Sequence, residues 1–183
     1  VDERSATLTR TQVISNWAGD SGGGLYVAYG SAALTGTEVV SNSAESGGGG
    51  VHVSDGSTWL SETLMVDNLA AKGGGAYVSL SSARLHASGS TMHGNWAEEG
   101  GGLYVNKGRA TLARTEVMSN SADRGGGVYV LYGSGRLDVI GGRISSNSAE
   151  DGGGVNILLG RATMTGTQVT ANSASDYGGG MYV

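Results

Sequence analysis

The 183 residues contain no cysteine, no proline and no phenylalanine. Without cysteine, disulfides, thiolate metal sites and thiol nucleophiles are all excluded. Glycine at 35 residues with no proline excludes a collagen triple helix, which needs both in a strict three-residue period. No apolar run approaches the roughly 18 residues of a membrane-spanning helix, so no transmembrane segment is expected. A basic excess is also missing. The net charge is −5, which argues against nucleic acid as a partner. No signal peptide is visible and the first residue is Val1, so the chain is read as a fragment or mature segment of something longer.

What is present is a repeat. Seven asparagines, Asn16, Asn42, Asn68, Asn95, Asn120, Asn147 and Asn172, are spaced by 26, 26, 27, 25, 27 and 25 residues. Two residues after each stands alanine, from Ala18 to Ala174, followed by a Gly-Gly-Gly run and a short apolar segment such as Leu25-Tyr26-Val27. Three residues before each Asn is Val13, Val39, Met65, Met92, Val117, Ile144 or Val169. Five before it is a small residue, usually Thr, as in Thr11, Thr37, Thr63 and Thr115. A period of 20–50 residues is the signature of repeat architectures.

Within each unit, short segments alternate with period two, and no window has a 3.6-residue period; this is the pattern of strands. One unit cannot bury its apolar face alone, but stacked units build a continuous core. The expected fold is all-β: a right-handed parallel β-helix of about seven coils, about 26 residues per coil, with residues 1–183 forming one segment. An inward Asn column is expected to form a hydrogen-bonded ladder. Alanine is expected to pack at the same corner, and glycine to allow positive φ at another.

The residues Gly22–Leu25 and Gly125–Val128, together with Val13-x-x-Asn16, Val39-x-x-Asn42 and Val117-x-x-Asn120, resemble the repeats of the chlamydial polymorphic outer-membrane proteins. Those pair Gly-Gly-Ala-aliphatic with Phe-x-x-Asn; here Val, Ile or Met takes the place of Phe. The sequence also resembles the Gly-Gly-Gly-Ile-Tyr and Asn-Ser-Ala repeats of large bacterial surface proteins. The resemblance implies an extracellular or surface β-helix, often an adhesin or autotransporter passenger, and carries no catalytic residues.

Three columns are candidate functional surfaces. Tyr26, His52, Tyr77, Tyr104, Tyr129, Asn156 and Tyr182 lie between inward residues of the Gly-rich strand. They are expected to form an exposed aromatic stripe, stabilising the face or binding glycan or protein. Asp20, Glu45, Glu98, Glu99, Asp123, Glu150, Asp151 and Asp176 form an acidic corner interrupted by Lys72 and Arg124. It reads as solvated turn charge, with calcium between coils as the alternative. Arg84, Arg109, Arg136 and Arg161 stand eleven residues before their asparagines, where earlier coils have Ser5, Ser31 and Ser57. The row reads as charge that keeps strands from pairing with other chains, or as a site for an anionic glycan.

No cofactor is implied, and the expectation is a non-enzymatic protein. No unit exceeds 27 residues, so no inserted loop can wall a cleft, and His52, His86 and His93 match no metal-ligand spacing. A polysaccharide-active enzyme and an ice-binding face, suggested by Thr9/Thr11, Thr35/Thr37 and Thr165/Thr167, are the weaker alternatives. The preferred reading is a structural, fibre-forming segment of a bacterial surface protein. Its partners would be more coils of the same chain or a second copy joined head to tail, because a Val183-to-Val1 junction would keep the Asn spacing at 27.

Overall fold

The computed structural model describes residues 4–183, so Val1 and the proposed junction there lie outside the described residues. Between them the chain winds as a parallel β-helix whose unit is closed by three left-handed residues. One precedes each Asn by six positions, from Arg10 to Gly166, with φ of 48–66°. One is the residue just before each Asn, from Ser15 to Ala171, with φ of 53–66°. The third is the glycine of each Gly-Gly-Gly run that stands nearest the acidic residues, from Gly22 to Gly178, with φ of 60–71°. A left-handed backbone costs a non-glycine residue roughly 1–2 kcal/mol. It recurs here because each such residue turns the chain from one flat face to the next.

Between the corners lie three kinds of strand. The tyrosine strands include Ala76–Val78, Leu103–Val105 and Val128–Leu131, and the arginine strands include Arg84–Ser88, Arg109–Ala113 and Arg136–Ile140. In the two earlier coils both belong to single bent strands, Leu25–Thr35 and Val51–Ser61, so together they form one 12-stranded sheet. The strands just before the asparagines, from Gln12–Ile14 to Gln168–Thr170, form a separate seven-stranded sheet. Strand pairing among the described residues is parallel and, apart from a register shift between Ala149 and Asp151, joins equivalent residues of successive coils, as in Tyr77↔Tyr104↔Tyr129 and Met92↔Val117↔Ile144. Coils therefore rise by about 4.8 Å.

The core is a set of aliphatic columns rather than a sphere. Leu34, Leu60, Leu112, Val39, Met65, Met92 and Ile144 are fully buried, as are Val51, Val53, Leu103 and Val105. The alanines at the asparagine corner, Ala44 to Ala149, are buried as expected.

The asparagines form one unbroken polar ladder through this apolar interior. Each Oδ1 from Asn42 to Asn172 accepts from both the backbone N–H and the Nδ2 of the Asn one coil earlier, at 2.9–3.1 Å. The second Nδ2 hydrogen donates to the carbonyl of the aliphatic residue 28–30 positions earlier, such as Met65 for Asn95 at 3.0 Å. In the interior coils two donors and two acceptor directions of every side-chain amide are thus satisfied, which is its full capacity.

The other two glycines of each run serve this ladder. A Cβ on Gly101 would meet the Ser121 carbonyl oxygen at 2.5 Å, and one on Gly102 would meet the Asn120 amide nitrogen at 3.1 Å. The Gly-rich segment therefore lies directly against the asparagine corner of the next coil, and backbone is all that fits.

Replacing Asn95 by alanine should orphan the Asn68 N–H and one Asn68 Nδ2 hydrogen and deprive the Met65 carbonyl of its Asn95 donor. At about 1–3 kcal/mol for each buried unsatisfied group, urea denaturation should show a loss of about 3–5 kcal/mol. Asn95→Asp should not rescue it, because a carboxylate cannot donate to Met65 or Asn120. A loss below about 1 kcal/mol for either variant would contradict the role given to the ladder.

Candidate functional site

The aromatic column exists in register but is not the exposed stripe expected of it. Tyr104 and Tyr129 retain only 2% and 1% of their accessible surface, and His52 and Asn156 are likewise buried. Only Tyr26 and Tyr182, in the outer coils, are open to solvent, with Tyr77 half-buried. Stacking and close backbone explain the correction. Ring centroids of Tyr77, Tyr104 and Tyr129 are 5.0 and 5.2 Å apart and nearly parallel, so each ring covers its neighbours. The glycine corner lets them lie close to the backbone: a Cβ on Gly47 would touch the Tyr77 ring at 2.5 Å. Burial pushes the phenols of Tyr77, Tyr104 and Tyr129 above their ordinary range. The column is structural cement, each aromatic pair adding roughly 0.5–1.5 kcal/mol beyond its buried area.

His52 occupies a tyrosine position in this column. It meets Tyr26 edge-on at 4.9 Å and stacks on Tyr77 at 4.6 Å, with Nε2 2.9 Å from the Ser79 hydroxyl. Its Nδ1 is buried without a partner. Burial lowers its pKa to about 4, against a smaller raising effect from Asp20, so the ring is neutral at pH 7.

At the charged corner, Lys72, Glu99, Arg124 and Asp151 are in successive parallel register. The two cations are therefore not breaks in an acidic column but alternate with carboxylates in a ladder of opposite charges. Arg124 lies 3.3 Å from Glu99. Among the described residues no three His, Asp or Glu side chains converge as metal ligands.

The threonine pairs also separate. Thr37, Thr63, Ser90 and Thr115 are buried, and their hydroxyls donate to backbone carbonyls, as Thr63 does to Leu34 at 3.1 Å. Only the first threonine of each pair faces out, because the left-handed corner between them turns the chain.

The arginines do form a true outward row: Arg84, Arg109, Arg136 and Arg161 are direct neighbours on successive strands. Arg109 and Arg136 both donate to Asp138, at 2.7 and 3.1 Å. Although burial alone would raise the Asp138 carboxyl, the hydrogen bonds from Arg136 and Arg109 outweigh it and hold it below the usual range. Arg84 turns to the carbonyls of Ser81 and Ala83. On the same face Trp59 and His86 stack at 5.9 Å.

A second surface escaped sequence reasoning. Trp17, Leu69 and Trp96 occupy the position just after the asparagine and are exposed, Trp17 most of all, and Ile14 and Leu64 lie exposed on the adjoining sheet. Serine fills that position in the other coils, so no uniform column marked it.

The three-cornered parallel coil with its asparagine ladder defines the class: a β-solenoid. The family model for a right-handed beta helix region matches residues 1–178, and the chain belongs to that family. No curated protein and no solved structure matches the chain.

His52 makes acid stability testable. Between its unfolded pKa near 6.5 and its folded value of about 4, the unfolded chain binds the extra proton, so stability falls as pH falls through that window. His52→Tyr should restore the column and remove this component. The melting temperature of the variant, relative to the parent, should rise progressively from pH 7 to pH 4; an identical pH profile for both would show that His52 is not buried neutral.

Proposed function

We propose that the chain is a structural, non-enzymatic rod segment of an extracellular or cell-surface bacterial protein. The observation that carries this reading is the continuity of the asparagine ladder through all seven coils. Nearly every recurring position maintains the coil: the corners, the glycines against the ladder, the buried alanines and the stacked rings. A uniform coil with no long insertion makes a stiff spacer. It extends by one rule, each coil adding parallel strands to the last, within one chain or between copies set head to tail. The likeness to polymorphic outer-membrane repeats supports a surface location and an adhesin or autotransporter setting.

Adhesion is the second reading. Burial of Tyr104 and Tyr129 removes the tyrosine stripe as its surface, and the open arginine face becomes the better candidate. Electron microscopy of the full natural protein should show unbranched rods or filaments, lengthening by about 4.8 Å per coil. A compact particle, or release of sugars from polysaccharide substrates, would overturn the rod reading.

A further inference from the structure

The arginine row has no structural explanation of the kind the other columns have. Three of its four strands are not sheet edges in need of protection: Arg84–Ser88, Arg109–Ala113 and Arg136–Ile140 are each paired on both sides, and only Arg161–Thr165 ends the sheet. Like charges directly opposite on neighbouring strands are destabilising. Four guanidiniums stand in line, and Asp138 is the one carboxylate hydrogen-bonded to them; Arg161 has no side-chain partner among the described residues. The earlier coils place serine in the same column, at Ser31 and Ser57, so the fold does not need arginine there. A shallow groove of about 230 Å³ runs between Arg109, Arg136 and Asp138 and is edged by Thr111, Thr163 and Thr165.

Next to this charge lies an aromatic plane. Trp59 keeps 46% of its surface exposed. His86 covers one side of the indole at 5.9 Å, whereas its other neighbour in the column is the small Ala33. The indole, the groove and the arginines share one outward face and follow the rod axis coil by coil.

We infer that this face binds an acidic polysaccharide lying along the rod, with its carboxylate or sulfate groups on Arg109, Arg136 and Arg161 and a sugar ring against Trp59. Positive charges repeated about every 4.8 Å suit a polymer with repeating charge better than a single anion. Guanidinium favours carboxylate and other oxyanions through paired N–H donors. The exposed indole offers an apolar plane to the C–H face of a sugar, which a polyphosphate lacks. Asp138 is a positioning residue: it holds Arg109 and Arg136 in place through their N–H groups. The inference stands on this face alone, so its failure would leave the rod reading intact.

Binding of the intact chain to dextran sulfate, alginate, uncharged dextran and polyphosphate at low salt tests it. Dextran sulfate, alginate or both should bind, the pattern telling sulfate from carboxylate recognition, and dextran should not. R109Q/R136Q should weaken binding about tenfold or more with circular dichroism unchanged, and R161Q, whose side chain has no partner among the described residues to lose, should weaken it too while leaving the melting temperature as in the parent. W59A should weaken polysaccharide binding with circular dichroism unchanged. D138N adds net positive charge yet should weaken binding, since the arginines lose their positioning partner; tighter binding would reveal unspecific attraction and overturn the site. Absence of binding to both acidic polysaccharides, affinity unaltered by R109Q/R136Q, or polyphosphate binding as tightly with W59A without effect would equally overturn it.

Discussion

The side-chain amide of asparagine can donate twice and accept twice, and this structure depends on using all four bonds in an apolar interior. Each Asn reads the coil on either side of it: its Oδ1 takes two hydrogen bonds from the preceding Asn, and its Nδ2 reaches both the next Asn and a carbonyl of the preceding coil. Buried polar groups left unpaired are costly, so a coil out of register would forfeit several bonds at once. The ladder thereby fixes register in a parallel stack whose aliphatic columns alone would tolerate sliding. The rest follows from keeping this corner intact. The residue before each Asn adopts a left-handed backbone to turn the side chain inward, and the glycines lie against the amide because any side chain would collide with it.

Much of this was legible in the chain before any coordinates. The Asn column, its companions three and five residues upstream and the glycine runs recur in phase, and inward columns of a solenoid must repeat because each coil meets an identical neighbour. The glycine runs are legible only in part: positive φ explains Gly100, but the contact of Gly101 and Gly102 with the next asparagine corner is a long-range packing fact that no local pattern encodes. For the tyrosine column the sequence pattern carries the side of the strand but not the environment. Alternation tells which way Tyr104 points; it does not tell that stacked rings over a glycine backbone bury one another. The charged corner was obscured by spacing, since units of 25 to 27 residues hide the register that pairs Lys72, Glu99, Arg124 and Asp151. The exposed Trp17, Leu69 and Trp96 share a position with serines, so they had no periodic signal.

The resulting molecule divides its residues clearly. Columns that repeat in every coil hold the coil together, and so does the aromatic one, which departs from tyrosine at His52 and Asn156. Columns that change partway along the rod, as serine gives way to arginine at residue 84 and beyond, are not needed by the fold and are where function can be added. Membership of the right-handed beta helix family fits this division, because a solenoid leaves its outer faces free to vary while its interior does not.

The central claim is that the asparagine ladder is the most persistent part of the interior. NMR hydrogen exchange of the side-chain amides of Asn68, Asn95 and Asn120 tests it most directly. If the ladder governs the stack, these amide protons exchange only through global unfolding, as slowly as the best-protected backbone amides of the aliphatic strands. Exchange of the interior asparagine amides far faster than those backbone amides would contradict the account.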